Sequence, residues 1–189
     1  MTGETGGTGL TADERRALLA AAREAIAAHF HRRRPELPPA GGGLAEKSGA
    51  FVTLHRRSDG DLRGCVGLLR SDAALLHTVA RMAVAAATED ARFEPVGERE
   101  LGSLSVEISV LSPLAPIRPE DVEVGRHGLL VSSDDRRGVL LPRVPVDQGW
   151  DRESFLEQTC RKAGLSTDAW KEPGTVLQGF TATVFSDGD

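Results

Sequence analysis

The sequence predicts an α+β fold in which helices pack on a mostly antiparallel sheet. Two pairs of short apolar runs are each joined by a short polar turn, and strands joined in this way pair antiparallel. Segments with helical periodicity lie around these pairs, without the regular strand–helix alternation of a doubly wound parallel sheet. The chain has 189 residues, 40% hydrophobic and 27% charged, which is typical of a globular protein.

The first predicted element is an amphipathic helix. Residues 1–9 are rich in Gly and Thr, and we expect them to be disordered. Thr11 and Glu14 have the spacing of a capping box, and apolar side chains then recur at helical spacing as far as Phe30. We expect Pro35 to stop this helix.

A hairpin and a second helix are predicted next. Residues 49–55 and 62–69 have the composition of strands, and Asp59-Gly60 between them is a strong turn signal. An Ala-rich helix follows, for which Ser71 or Asp72 is the expected N-cap.

Residues 103–112 alternate strictly between apolar and polar side chains, which predicts a half-buried strand. Its expected inner face consists of Leu104, Val106, Ile108 and Val110, and its outer face of Ser105, Glu107 and Ser109.

The last third of the chain predicts a second hairpin, a helix and a closing strand. The hairpin strands are residues 128–133 and 138–141. Asp151 is the expected N-cap of the helix, and Gly164 has the position of its C-terminal glycine. Residues 175–185 have the composition of one strand that closes the chain.

Composition and charge exclude several classes of protein. The formal charge is −5, the only basic cluster is Arg32-Arg33-Arg34 and there is no Tyr, so we expect no nucleic-acid partner. No apolar stretch is long enough to span a membrane, and the N-terminus lacks the features of a signal peptide, so we expect a cytoplasmic protein. The spacing of Cys and His supports no local metal site, and no cofactor motif is present.

Several multi-residue segments resemble the AMMECR domain family, in the order found in that family. The most distinctive is residues 62–67, Leu-Arg-Gly-Cys-Val-Gly, which follows residues 49–54. The other matching segments are Asp90–Phe93, Glu107–Pro113, Gly125–Gly128, Leu141–Pro145, Gly149–Asp151, Lys162–Leu165 and Asp168–Trp170. The departures are slight: Val66 stands where Ile is usual, and Arg143 stands where Gln is common.

The resemblance covers residues 10 to 185 and carries implications for fold and partners. It implies a two-lobed α+β domain, which we expect over residues 10–186 with 187–189 as a tail and no assignable boundary between the lobes. Bacterial members are called AmmeMemoRadiSam system protein A, a name that implies association with Memo-like and radical-SAM proteins. The resemblance implies no settled reaction.

Cys65 is the first candidate for chemistry. Gly64 and Gly67 flank it in a strand, where glycine usually marks a bulge or the close approach of a ligand or another backbone. A free thiol titrates near pH ~8.5, so a nucleophilic cysteine needs a cation or base that the fold brings to it. His127 and His77 are the candidates for that base. The alternative is that Cys65 is a small buried hydrophobe, as Cys160 is expected to be on the apolar side of its helix.

Other polar residues of the matching segments are candidate ligand contacts. Arg63 is a candidate contact for an anion, or a partner of Asp61 or Glu107 in an ion pair. Neighbours on a strand point to opposite faces, so we do not expect Arg63 to need contact with Cys65.

Asp90 and Arg92 are candidates for positioning a ligand at the end of the Ala-rich helix, or for pairing with each other. Glu107 interrupts an apolar strand and is a candidate general base, although a solvated sheet face is the commoner setting for such a residue.

Two functional hypotheses follow. In the first, the protein is an enzyme or enzyme component that uses Cys65 on a small molecule or a modified side chain. In this hypothesis His127 and Glu107 are further catalytic residues, and Arg63, Gly64, Gly67, Asp90 and Arg92 bind the ligand. In the second, the hairpin that carries Cys65 is a docking surface of a non-catalytic interaction module.

Overall fold

Helices and two antiparallel sheets make up the computed structural model, which describes residues 9–188 and confirms the α+β prediction. In chain order the elements are α1 (Ala12–Phe30), β1 (Ala50–Arg56), β2 (Leu62–Leu68), α2 (Leu75–Thr88), β3 (Leu104–Leu111), β4 (Ala115–Pro116), β5 (Gly128–Ser133), β6 (Arg136–Leu140), α3 (Arg143–Asp147), α4 (Arg152–Lys162), β7 (Val176–Phe180) and β8 (Ala182–Ser186). Apart from Gly9, the N-terminal segment for which we expect disorder lies outside the described residues.

The chain divides into two compact units. The first unit contains residues 9–111 and 183–188, and the second unit contains residues 112–182. The first unit has a sheet of order β2-β1-β3-β8, and the second has a sheet of order β4-β7-β5-β6. In the part of the chain that the structure describes, no helix is both long and apolar enough to cross a membrane.

Helix α1 begins as the capping box predicts. The Thr11 hydroxyl accepts the Glu14 N–H, and the Glu14 carboxylate accepts the Thr11 N–H at 2.8 Å. The helix ends at Phe30, earlier than Pro35 alone would require. Arg32 has a left-handed backbone with φ of 53°, which turns the chain away from the helix axis.

Helices α1 and α2 bury their apolar sides together with the inner face of the first sheet. Leu18 and Ile26 of α1, Leu76 and Val79 of α2, and Val52 of β1 belong to one hydrophobic core. The predicted inward positions of β3 are all buried: Leu104, Val106, Ile108 and Val110. This arrangement leaves the opposite face of the sheet without these helices.

The predicted cap of α2 is wrong. Its N-cap is Ala74, and no side chain caps the helix. The Ser71 hydroxyl instead accepts a hydrogen bond from the Thr78 hydroxyl at 2.7 Å, and Asp72 is exposed. The helix therefore begins three residues later than a cap at Ser71 predicts and two residues later than a cap at Asp72 predicts.

In the second unit the elements are close to those predicted. Asp151 caps α4 by accepting the Ser154 N–H at 2.8 Å, and Gly164 follows the helix with φ of 70°. The second hairpin turns more tightly than expected, because Asp134 has a left-handed backbone and β6 already begins at Arg136. The short helix α3 was not predicted.

The prediction of one closing strand is wrong. Residues 175–185 contain β7 and β8, which belong to different sheets. The change occurs at Thr181, whose carbonyl accepts the Ser112 N–H and whose N–H donates to the Ser112 hydroxyl, both at 2.9 Å. Ser112 therefore holds the point at which the chain leaves one sheet and enters the other.

We expected residues 187–189 to form a tail, but hydrogen bonds hold the first of them, Asp187. The Asp187 carboxylate accepts hydrogen bonds from Arg23, from Arg57 at 3.2 Å and from the Val106 N–H at 2.9 Å. Burial opposes ionisation of Asp187, but the hydrogen bonds from Arg23 and the Val106 N–H and the charges of Arg23 and Arg57 together outweigh it and lower the pKa of the carboxyl group. Asp189 lies outside the described residues.

Candidate functional site

Cys65 lies on β2, the edge strand of the first sheet. It pairs with Thr53 of β1, and Thr53 pairs in turn with Glu107 of β3. Directly paired residues of antiparallel strands share a face of the sheet, so these three side chains form one row across three strands. We call Cys65, Thr53 and Glu107 the outer row, because their neighbours Val52 and Leu54 face the helix-covered core.

The sulfur of Cys65 has a polar neighbour. The Thr53 hydroxyl donates a hydrogen bond to Cys65 Sγ at 3.3 Å, and both residues are half-buried. The pair is close because the Cys65 N–H does not bond to β1, which makes it a non-hydrogen-bonded pair with the shorter separation between side chains. Thr53 was not predicted from the sequence, because counting the hairpin register outward from Asp59-Gly60 pairs Cys65 with Leu54, and only the register shift near the turn brings Thr53 opposite Cys65.

The main chain of Cys65 is held by the segment after α2. The Cys65 N–H donates to Asp90 Oδ2 at 2.8 Å, and Arg92 binds both oxygens of the same carboxylate at 2.7 and 2.9 Å. The Arg92 guanidinium holds the pKa of Asp90 well below its usual range, and the Cys65 N–H acts in the same direction. Asp90 and Arg92 therefore pair with each other, one of the two alternatives that the sequence left open, and together they cover an open backbone group of the edge strand.

Arg63 is committed to contacts within the first unit. It binds the Glu100 carboxylate at 3.0 Å and the main-chain carbonyl of Glu94 at 2.8 Å. The expected partners Asp61 and Glu107 are wrong. Residues 63 and 65 would share a face of a regular strand, but the pairing register shifts between Leu62 and Gly64 and leaves Arg63 as the extra residue of a bulge. This frees its side chain to reach Glu100.

The two glycines beside Cys65 serve packing. A Cβ atom at Gly64 would overlap the carbonyl oxygen of Ala86, so Gly64 permits the close approach of α2 to β2. At Gly67 a Cβ atom would overlap the ring of Phe51, which lies across this glycine from the paired position on β1. Another backbone and an aromatic ring therefore occupy the space that these glycines leave.

Glu107 occupies the far end of the outer row. Its carboxylate makes no hydrogen bond or ion pair with any residue in 9–188, and it is half-buried. Adjacent strands are ~4.8 Å apart, so the backbones of Glu107 and Cys65 are separated by roughly 10 Å. A base at this position reaches the thiol only through Thr53 or a bound substrate.

His127 lies in the second unit, in the turn before β5. Its Nδ1 accepts the Glu123 N–H at 3.0 Å, and burial lowers the pKa of the ring. The neutral ring in this arrangement carries its proton on Nε2 and acts as a donor, so a base role would require this hydrogen bond to break. His77, the other candidate, is exposed on α2.

Cys160 gives an internal comparison for Cys65. It is fully buried on α4 in the core of the second unit, together with Val131 and Ala169. Burial raises the pKa of the Cys160 thiol. Within residues 9–188 no three His, Cys, Asp or Glu side chains come together as a metal site would require.

Comparisons with known proteins point to one family. The sequence model of the AMMECR1 family matches residues 19–185. A protein of Thermococcus gammatolerans is 47% identical over 153 residues, covering 76% of this chain and 75% of its own length. Protein TK0174 of Thermococcus kodakarensis is 41% identical over 181 residues, covering 90% of this chain and 88% of its own.

A solved structure has the same fold. The crystal structure of the uncharacterized protein PH0010 from Pyrococcus horikoshii superposes with a TM-score of 0.79 at 39% sequence identity. The match covers 89% of each chain, so it includes both units.

Proposed function

The chain belongs to the AMMECR1 family, and we propose that it is an enzyme, or a component of one, in which Cys65 reacts covalently with a small molecule or a modified side chain. The observation that carries this proposal is the hydrogen bond from the Thr53 hydroxyl to Cys65 Sγ, on the sheet face opposite the helix-covered core. A thiolate is the reactive form of cysteine, and a donor to sulfur stabilises it.

The surroundings of Cys65 suit a reactive thiol better than a structural one. Cys160 packs among apolar side chains and is fully buried, as an inert cysteine is. Cys65 is half-buried, and its row continues into the polar side chains of Thr53 and Glu107. A substrate on this face would meet a nucleophile, a hydroxyl and a carboxylate in line.

The proposed step is nucleophilic substitution at an electrophilic carbon. Cys65 Sγ forms a bond to that carbon, and the leaving group departs with its bonding electron pair. The thiol proton passes to solvent, and the Thr53 hydroxyl keeps its hydrogen bond to the sulfur. The reverse exchange releases the group to an acceptor, which makes Cys65 a covalent carrier.

Asp90 and Arg92 act as positioning residues in this proposal. The Asp90 carboxylate fixes the Cys65 N–H, and Arg92 fixes the carboxylate, so the main chain of the nucleophile has one orientation. Arg63 supports the same region through Glu100 and the chain after α2, rather than as a contact for a substrate.

Variants of Thr53 test the proposal. We expect Thr53→Val, which keeps the β-branched shape and removes the hydroxyl, to slow alkylation of Cys65 by iodoacetamide severalfold, while Thr53→Ser restores most of the rate. The alkylated peptide is quantified by mass spectrometry, with far-UV circular dichroism to confirm that each variant is folded. Equal rates in wild type and Thr53→Val would contradict the proposal.

A docking surface is the second candidate, favoured by the half-buried ring of Phe51 over Gly67 on the same face as Cys65. It predicts that Cys65→Ser keeps both the fold and partner binding, whereas a catalytic Cys65 predicts that this variant folds and loses its activity. Memo-like and radical-SAM partners stay a prediction of the family resemblance. Co-purification of Memo-like and radical-SAM proteins with wild type and with Cys65→Ser tests whether these partners bind and whether their binding depends on Cys65.

A further inference from the structure

The first unit contains a groove of about 420 Å³ between α1, the chain that follows it and α2. Its volume lies in the range of small-molecule sites, which run from ~300 to 1,000 Å³. The apolar part of its wall comes from Ala25, Leu37, Ala80 and Val84. Cys65 is not part of this wall, so the groove is separate from the outer row.

The polar part of the wall is built from basic and imidazole side chains. Arg33, Arg81, His29 and His77 line the groove together with a single carboxylate, Glu89. This composition contrasts with the chain as a whole, which has a formal charge of −5. An anion would therefore meet more basic and imidazole side chains than carboxylates in this groove.

Arg81 is the cation that remains available to a ligand. Both terminal nitrogens of Arg33 bind the Glu24 carboxylate, and this hydrogen bond lowers the pKa of Glu24 to about 2. The Arg81 guanidinium, by contrast, makes no hydrogen bond or ion pair with any residue in 9–188, and the residue is exposed.

His77 is a second hydrogen-bond donor beside Arg81 in the wall of the groove. It lies four residues before Arg81, one turn away on the same side of α2, and it is also exposed. An imidazole donates a hydrogen bond in its neutral and its charged forms, and a guanidinium presents a planar fork to an oxyanion.

We propose that this groove binds a small molecule with an oxyanion head and an apolar body. The head is held by Arg81 and His77, and the body lies against Ala80 and Val84. This site is independent of the thiol chemistry proposed above, because it shares no residue with the outer row.

Octanoate serves as the probe, with octan-1-ol as the neutral molecule of the same chain length. We expect octanoate to bind in the millimolar range or tighter in an NMR titration and to shift the ring signals of His77 and His29. We expect Arg81→Gln to weaken binding about tenfold, the loss of one charge-assisted contact. Arg70→Gln is the matched control, since Arg70 is exposed, also lacks a side-chain partner among the described residues and lies outside the groove.

Glu89→Gln should change the affinity for octanoate in the opposite direction. Removing this carboxylate should strengthen octanoate binding roughly twofold, because it repels the anion across the groove. Absence of binding, equal affinity for octan-1-ol, or equal loss of affinity in Arg81→Gln and Arg70→Gln would overturn the proposal.

Discussion

The two cysteines of this chain have the same side chain in opposite surroundings. Cys65 has a hydroxyl at its sulfur and a carboxylate at its N–H, whereas Cys160 lies fully buried in an apolar core. Residue type therefore says little about the reactivity of either one. The polar surroundings of Cys65 come from Thr53 and Asp90, which lie 12 and 25 positions from it along the chain.

Asp90→Asn is expected to destabilise the first unit at neutral pH. The Asp90 side chain is 7% exposed, and its carboxylate accepts from the Cys65 N–H and from Arg92. Weakening charge-assisted hydrogen bonds of a buried acceptor costs roughly 1–3 kcal/mol. Urea unfolding at pH 7 measures the loss. Asp72→Asn is the control, since Asp72 is exposed and its side chain makes no hydrogen bond or ion pair with the other described residues.

The same substitution has a pH dependence whose sign is fixed. The pKa of Asp90 is lower in the folded protein than in the unfolded chain, so the carboxylate stabilises the fold fully above pH ~4 and less as the pH falls further. The difference in unfolding free energy between wild type and Asp90→Asn should therefore be constant near neutrality and shrink below pH ~4. A difference that grows on acidification would refute this assignment.

Packing between β2 and α2 is the element-scale feature that supports the candidate site. Gly64 and the Ala86 carbonyl meet where the helix crosses the strand, two residues before its last residue Thr88. The segment after the helix then returns Asp90 to the N–H of Cys65. The orientation of Cys65 therefore depends on how closely this helix approaches the strand.

Gly64→Ala is expected to lower the free energy of unfolding by roughly 1–3 kcal/mol, because the added methyl group must push the main chain of α2 away. Gly102→Ala is the matched control, since a Cβ atom there meets no atom within 4 Å. We expect this control to stay within ~0.5 kcal/mol of wild type. Equal unfolding midpoints for the two variants would show that the helix does not press on β2.

Local signals explain which elements the sequence predicted. Capping and periodicity act within a few residues, so α1, the first hairpin and α4 came out close to their observed bounds. The division of residues 175–185 into β7 and β8 depends on which distant strand each half pairs with, and no local pattern encodes this.

The candidate site was likewise predictable only where its signals are local in the sequence. Cys65 and its flanking glycines stood out in the sequence, but the contacts of Arg63 with Glu100 and of Cys65 with Asp90 join segments 37 and 25 residues apart. The bulge at Arg63 also breaks the alternation on which strand-based reasoning relies.

At the scale of the whole molecule, each unit has its own hydrophobic core. The first unit holds the core shared by α1, α2 and its sheet, and the second holds the smaller clusters around Phe155 and Cys160. Both tryptophans, Trp150 and Trp170, belong to the second unit, while the two longest helices belong to the first. Tryptophan fluorescence and helical circular dichroism therefore report mainly on different units.

A reciprocal pair of glycine variants tests whether the two units unfold separately. At Gly138 a Cβ atom would overlap the main chain of α4, the counterpart in the second unit of the contact at Gly64. We expect Gly64→Ala to lower the midpoint seen by circular dichroism and Gly138→Ala to lower the midpoint seen by fluorescence. If both variants shift both signals equally, the units unfold together.

The most direct test of the central claim is the native-state alkylation of the two cysteines, resolved by peptide mass in one sample. We predict that iodoacetamide modifies Cys65 at least about tenfold faster than Cys160 in the folded protein, and that the two rates converge in urea, because burial alone protects Cys160. If Cys65 is as slow as Cys160 until the protein unfolds, then Cys65 is a structural residue and the proposed covalent chemistry is wrong.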